Sequence, residues 1–157
     1  MSLTLFQTEG IVNNDYITGV GPMEIIIFYC MHEGAQFVAN NYQHLRALHK
    51  IVGTDDVRNP GMLRTNMGGV NTDKGVFIPD KVDAGLIEKC FNAIMNHRDL
   101  APEDLAAKIF TYLSRSQIFN DTNKRTVLLT ANVPLHQGGT GVFLYSRTSD
   151  GQNLLME

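Results

Sequence analysis

The chain is poor in cysteine: its 157 residues contain only Cys30 and Cys90. Neither stands in a CxxC or Cys/His spacing, which argues against a zinc site and against a disulfide framework, and leaves two buried free thiols in a reducing cytoplasm as the expectation. Positive charge is also scarce. Thirteen Lys and Arg against sixteen Asp and Glu give a formal charge of −3, the wrong balance for a broad nucleic-acid face, so any anion site must be local. Long apolar runs are missing too. The most apolar stretch, "EIIIFYCM" from Glu24 to Met31, is too short to cross a bilayer and reads as a core element. The N-terminus lacks a basic segment followed by an apolar one, so no secretory leader is read there. The opening "MSL" and final "ME" are compatible with a natural chain that extends further. No internal repeat and no low-complexity segment is found.

What the chain does contain is helical periodicity, on a length that suits one domain, residues 1–157. From Gly34 to Lys50, continuing to Ile51, Phe37, Val38, Tyr42, Leu45, Leu48 and Ile51 recur at three- and four-residue steps, predicting an amphipathic helix that stops near Gly53. Between Arg64 and Pro79 the texture changes to "RTNMGGVNTDKGVFIP", a short hairpin turning at Thr72 to Gly75. Val82, Leu86, Cys90 and Ile94, widened by Ile87 and Phe91, mark a second helix. A third starts at Pro102, with Glu103 and Asp104 suited to the positive end of its dipole and a stripe of Leu105, Ile109, Phe110 and Leu113. A fourth begins near Asn123, and Pro134 is expected to disturb its later turns. The tail "GGTGVFLYSRTSDGQN" reads as β-like. The predicted fold class is all-α with a small β-hairpin and a short β-like tail.

The chemistry concentrates in "SRSQIFNDTNKRT", Ser114 to Thr126. The end of this loop lies over the N-terminus of the fourth helix, where backbone N–H groups and the dipole favour an anion. Lys124 and Arg125 add two cations there, unfavourable in a first turn by about 0.3–1 kcal/mol unless an anion compensates. Phe119 is expected to face inward and pin the loop. The alternative is a plain capped helix start, with Asp121 or Thr122 as the cap and the cations solvated.

"QIFNDTNKRT" resembles the signature of the Fic/Doc (Fido) family, with Phe119, Asp121, Asn123, Lys124 and Arg125 in register. "NPGMLRT", Asn59 to Thr65, and "GVFIPD", Gly75 to Asp80, are similar to that family's Gly-x-x-Arg segment and hairpin flap. "VANNYQHLRAL", Val38 to Leu48, is similar to its earlier helix, so the likeness covers about residues 38–141. The resemblance implies a mainly α-helical core whose motif loop binds nucleotide phosphates, with AMP or a related group passed from ATP or another nucleotide to a protein hydroxyl. It implies Asp121 as the Mg2+ ligand, Thr122, Asn123, Lys124 and Arg125 around the phosphates, and Val76, Phe77 and Ile78 of the flap as the docking strand for a protein target. It also implies bacterial, cytoplasmic relatives, some of them toxins held by an antitoxin-like partner.

Three departures from the family pattern stand out. Gln117 occupies the position of the family's histidine, the general base; an amide can orient a hydroxyl but cannot accept a proton near neutral pH. Thr122 replaces a small residue, and Leu128 stands where larger members carry a second Arg. No other histidine is expected to substitute: His136 lies further along the same helix, and His32, His44, His49 and His97 are assigned surface or capping roles. Glu33-Gly34 and Glu9-Gly10 match only the end of the family's inhibitory-helix pattern, and neither is expected to inhibit. Three functions therefore remain open: a protein adenylyltransferase or a Doc-like toxin-type phosphotransferase, a non-catalytic nucleotide- or protein-binding module, and a purely structural helical interaction domain.

Overall fold

A computed structural model describes residues 5–14, 19–54 and 57–142. Among them six helices and one hairpin follow in the order α1 Leu5–Asn14, α2 Pro22–Gln36, α3 Tyr42–Val52, β1 Val70–Thr72, β2 Gly75–Phe77, α4 Ala84–Met95, α5 Pro102–Ser116 and α6 Asn123–Gly138. The all-α class with a small hairpin is what the periodicity predicts; most of the β-like tail lies outside the described residues.

The main core gathers Tyr42 and Leu45 of α3, Ile87 and Phe91 of α4, Ile109 and Leu113 of α5, Ile118 and Phe119 of the loop, and Val127 and Ala131 of α6. Burial of the Leu, Ile, Val and Phe side chains among them, at about 1.5–3 kcal/mol each, fixes how the helices sit around the loop. α5 and α6 pack side by side because only residues 117–122 separate them. The hairpin pairs Val70 with Phe77, Asn71 with Val76 and Thr72 with Gly75. Gly75 has φ +116°, a conformation that L side chains rarely adopt, which is why glycine closes this turn.

The structure departs from the sequence reading in three ways. The helix expected from Gly34 divides into α2 and α3, because the Asn41 carboxamide accepts the His44 N–H at 2.9 Å and starts a new helix at Tyr42. "EIIIFYCM" is the middle of α2, which crosses its neighbours at Gly34; a Cβ there would lie 2.6 Å from Val52 Cγ1 and 2.8 Å from Leu129 Cδ1. In α4, Asp83 caps the helix and Ile87 and Phe91 are the buried face, while Leu86, placed on the stripe, is exposed. Pro134 does not interrupt α6, which runs unbroken to Gly138. Val133, Pro134 and Leu135 are buried, and that packing outweighs the single lost backbone donor.

Candidate functional site

The loop between α5 and α6 is built from two left-handed residues and an inward-facing pair. Gln117 ends α5 at φ 43°, ψ 54°, and Thr122 precedes α6 at φ 51°, ψ 13°. Neither is glycine, so each holds a conformation costing roughly 1–2 kcal/mol that its surroundings must impose. Ile118 and Phe119 between them point into the core. The Asn123 side chain then closes the loop on itself: its Nδ2 donates to the Phe119 carbonyl at 2.8 Å and its Oδ1 accepts the Phe119 N–H at 3.0 Å. These bonds occupy the Asn123 carboxamide, so it shapes the loop from behind.

Thr122 holds the N-cap position of α6, yet its side chain makes no capping bond. Its Oγ1 is buried with no hydrogen-bond partner, while its N–H donates to Asp121 Oδ1 at 2.6 Å. The plain-cap alternative for Thr122 therefore lacks its defining bond, and an orphaned buried hydroxyl stands beside the positive end of the α6 dipole. Lys124 is exposed, and Arg125, half-buried, donates from Nη1 to the Val52 carbonyl at 3.2 Å.

A second layer holds the loop from the α3 side. Leu63 pairs with Phe119 as an isolated antiparallel bridge, supported by the Arg64 N–H donating to the Ile118 carbonyl at 2.9 Å. His49, fully buried, stacks on Phe119 with ring centroids 3.7 Å apart. Its Nδ1 accepts the Gly61 N–H at 2.7 Å, which places the ring proton on Nε2, facing the Asp121 carbonyl at 3.0 Å. This corrects the surface or capping role assigned to His49. The signal was its spacing: His49 follows Leu45 by four residues and precedes Val52 by three, on the buried stripe of α3.

Burial, reinforced by the nearby Arg125 charge, holds the His49 pKa below its ordinary value, against the opposing pull of the Asp121 carbonyl and carboxylate. Since the unfolded chain then takes up the proton first, this contribution to stability is complete above about pH 6.5 and is lost as the pH falls from there toward the folded pKa. Urea unfolding at pH 7.5 and 5.5 checks this. The stability advantage of the natural chain over His49→Gln is expected to shrink at the lower pH, and an unchanged difference would remove His49 as the titrating group.

The hairpin overhangs the other side of the loop. A cleft of about 730 Å3 is lined by Asn71, Thr72, Asp73 and Phe77 of the hairpin, by Ser114 and Gln117 at the end of α5, and by Asn120 to Arg125. Gln117, Asp121, Thr122, Asn123, Lys124 and Arg125 thus meet in one cavity, whereas Phe119 lies beneath it. Val76 and Ile78 are 65% and 62% exposed on the hairpin, and only Phe77 of that trio walls the cleft. The Gln117 amide lies along the helix end, donating from Nε2 to the Ser114 carbonyl at 2.7 Å. Asn71 to Asp73 and Ser114 were missed in sequence, because which loop tip faces which helix end is set by tertiary packing.

Among the described residues no group of three or more His, Cys, Asp and Glu side chains could hold a metal on its own. Exposed Asp121 could supply one carboxylate to Mg2+, which commonly takes one or two from protein and the rest from phosphate and water. No helix among the described residues is long and apolar enough to cross a membrane.

Comparisons with known proteins agree with this architecture. The model of the Fic/DOC family matches residues 40–135. Similar solved structures include a Fic-domain-containing signaling protein from Bacteroides thetaiotaomicron, with a TM-score of 0.76 and 20% identity over 92% of this chain and 60% of that one. Fic-1 from C. elegans gives 0.67 and 20% over 88% and 44%, and a Fic family protein from Desulfovibrio desulfuricans gives 0.68 and 18% over 87% and 43%. This chain therefore spans less than two thirds of the length of each of these relatives, and at such identity the likeness is one of fold. Among curated proteins no sequence matches. With the family model covering the loop, the hairpin and the helices that hold them, the chain belongs to the Fic/DOC family.

Proposed function

We propose that the cleft binds the phosphates of a nucleotide, ATP or a similar donor, together with Mg2+, in the manner of Fic proteins that transfer AMP to protein hydroxyls. The observation that carries this reading is the start of α6, which has no side-chain cap and lines one cavity with the cations Lys124 and Arg125 beside Asp121. Backbone N–H groups at a helix start, an ammonium and a guanidinium are complementary to phosphate oxygens. Mg2+ on Asp121 would neutralise phosphate charge and so favour both binding and departure of the leaving group. An extended target segment would align along exposed Val76 and Ile78 by strand addition, bringing its hydroxyl toward Gln117. There the amide can hold that hydroxyl but cannot take its proton, so binding is expected to outlast rapid transfer.

Isothermal titration with ATP and Mg2+ tests the reading. Binding by the natural chain is expected, and Arg125→Ala is expected to weaken it by about 10- to 100-fold, the worth of one lost charge-assisted bond. Lys124→Ala, at an exposed position, provides a second variant should removal of the Arg125–Val52 bond disturb folding. An absence of heat from the natural chain at millimolar nucleotide would overturn the proposal.

A further inference from the structure

Arg64 is 5% exposed, which is unusual for a guanidinium, and its fork is spent on the backbone of three separate segments. Nε donates to the Gln117 carbonyl at 2.5 Å. Nη1 donates to the Asn66 carbonyl at 2.7 Å, on the chain leading into β1. Nη2 donates to the Asp80 carbonyl, on the chain leaving β2, and lies 3.4 Å from the Ser116 carbonyl. One side chain therefore ties both feet of the hairpin to the end of α5 and the first residue of the motif loop.

From this geometry we infer that Arg64 is a positioning residue that joins the flap to the phosphate loop, so that the two respond to a ligand as one unit. The planar fork presents its donors at fixed angles, and the three segments it bonds can shift against one another only by breaking those bonds. The Gln117 carbonyl is the sensitive point. Its direction helps set the ψ of a residue already held in a left-handed conformation, and the loop would relax there if the bond were lost. Movement of the flap then changes the pose of Gln117, and occupation of the loop must by reciprocity stiffen the flap. The joint is a property of the fold; its use in nucleotide binding rests on the function proposed above.

Hydrogen exchange on the full chain decides the matter. In Arg64→Ala without ligand, amides of Asn71–Phe77 and Ile118–Thr122 are expected to exchange together, about 10-fold faster than in the natural chain, with the interiors of α5 and α6 unchanged. Arg64→Lys keeps the charge but loses the fork; it is expected to loosen the same two segments more weakly, and it carries the test if the alanine variant does not fold. Loosening of one segment alone, of neither, or of all helices equally in the lysine variant overturns the joint. With saturating ATP and Mg2+, the natural chain is expected to protect both segments, and either variant only the loop; equal flap protection in variant and natural chain would also overturn it. If the natural chain binds no ATP, the nucleotide reading fails on its own, and exchange in the free protein still decides the joint.

Discussion

Phe119→Ala is expected to lower the unfolding free energy by about 3–5 kcal/mol, the range for emptying a large aromatic site in a core. The ring is 2% exposed and lies flat against His49, so its removal leaves a cavity between α3 and α6. Collapse of that cavity is opposed by the backbone, since Asn123 grips both the N–H and the carbonyl of Phe119 and Leu63 bridges to it. Urea unfolding with an unchanged m-value would measure the loss. Phe119→Leu, which keeps most of the apolar volume, is expected to cost clearly less. A loss below about 1 kcal/mol for the alanine variant would mean that the ring does not anchor the loop.

Gln117→His carries the largest expected effect on activity. Under the proposed function the substitution supplies the missing proton acceptor, and a positioned general base is worth about 10²- to 10⁴-fold in rate. The backbone makes this a clean exchange. Gln117 sits at φ 43°, and histidine is among the non-glycine residues that enter the left-handed region most readily. Incubation with labelled ATP and a cell lysate reads the outcome as labelled protein. Faint labelling by the natural chain and strong labelling by the variant is expected. Equal labelling by both, abolished in each by Arg125→Ala, would show instead that the amide suffices and that the chain is already an active transferase.

These expectations draw on different kinds of information. Alternation of apolar and polar residues at helical spacing was enough to place α5 and the greater part of α3 and α4, because a buried stripe must repeat with the helix period wherever the helix lies. The hairpin was equally legible, since its turn requires the glycine that the chain supplies at Gly75. The motif residues stood out as a group through their resemblance to the Fic/Doc signature, since a capped helix start with neighbouring cations is by itself a common pattern. The division at Asn41 was less visible: a capping asparagine inside an apolar pattern is overridden or obeyed according to what the flanking helix can pack against. Pro134 erred in the opposite direction, as burial of its neighbours preserved a helix that local rules would weaken.

By itself, then, the chain determined α5, most of α3 and α4, the start of α6, its hairpin and the chemical character of one loop, all of which follow from short-range spacing and backbone preference, whereas α1 and the separate α2 were not read from it. Only the tertiary structure decided that Asn123 faces the loop backbone, that His49 lies under Phe119 and that Arg64 grips three segments at once. Each of these contacts, apart from the local ones of Asn123 with Phe119 and of Arg64 with Asn66, joins residues far apart in sequence, and no periodicity records such a partner. The two unsatisfied features of the site arose in the same way. A buried Thr122 hydroxyl without a partner and a strained Gln117 at a helix end exist because the surrounding packing fixes them, and a linear sequence shows the residues but not the confinement.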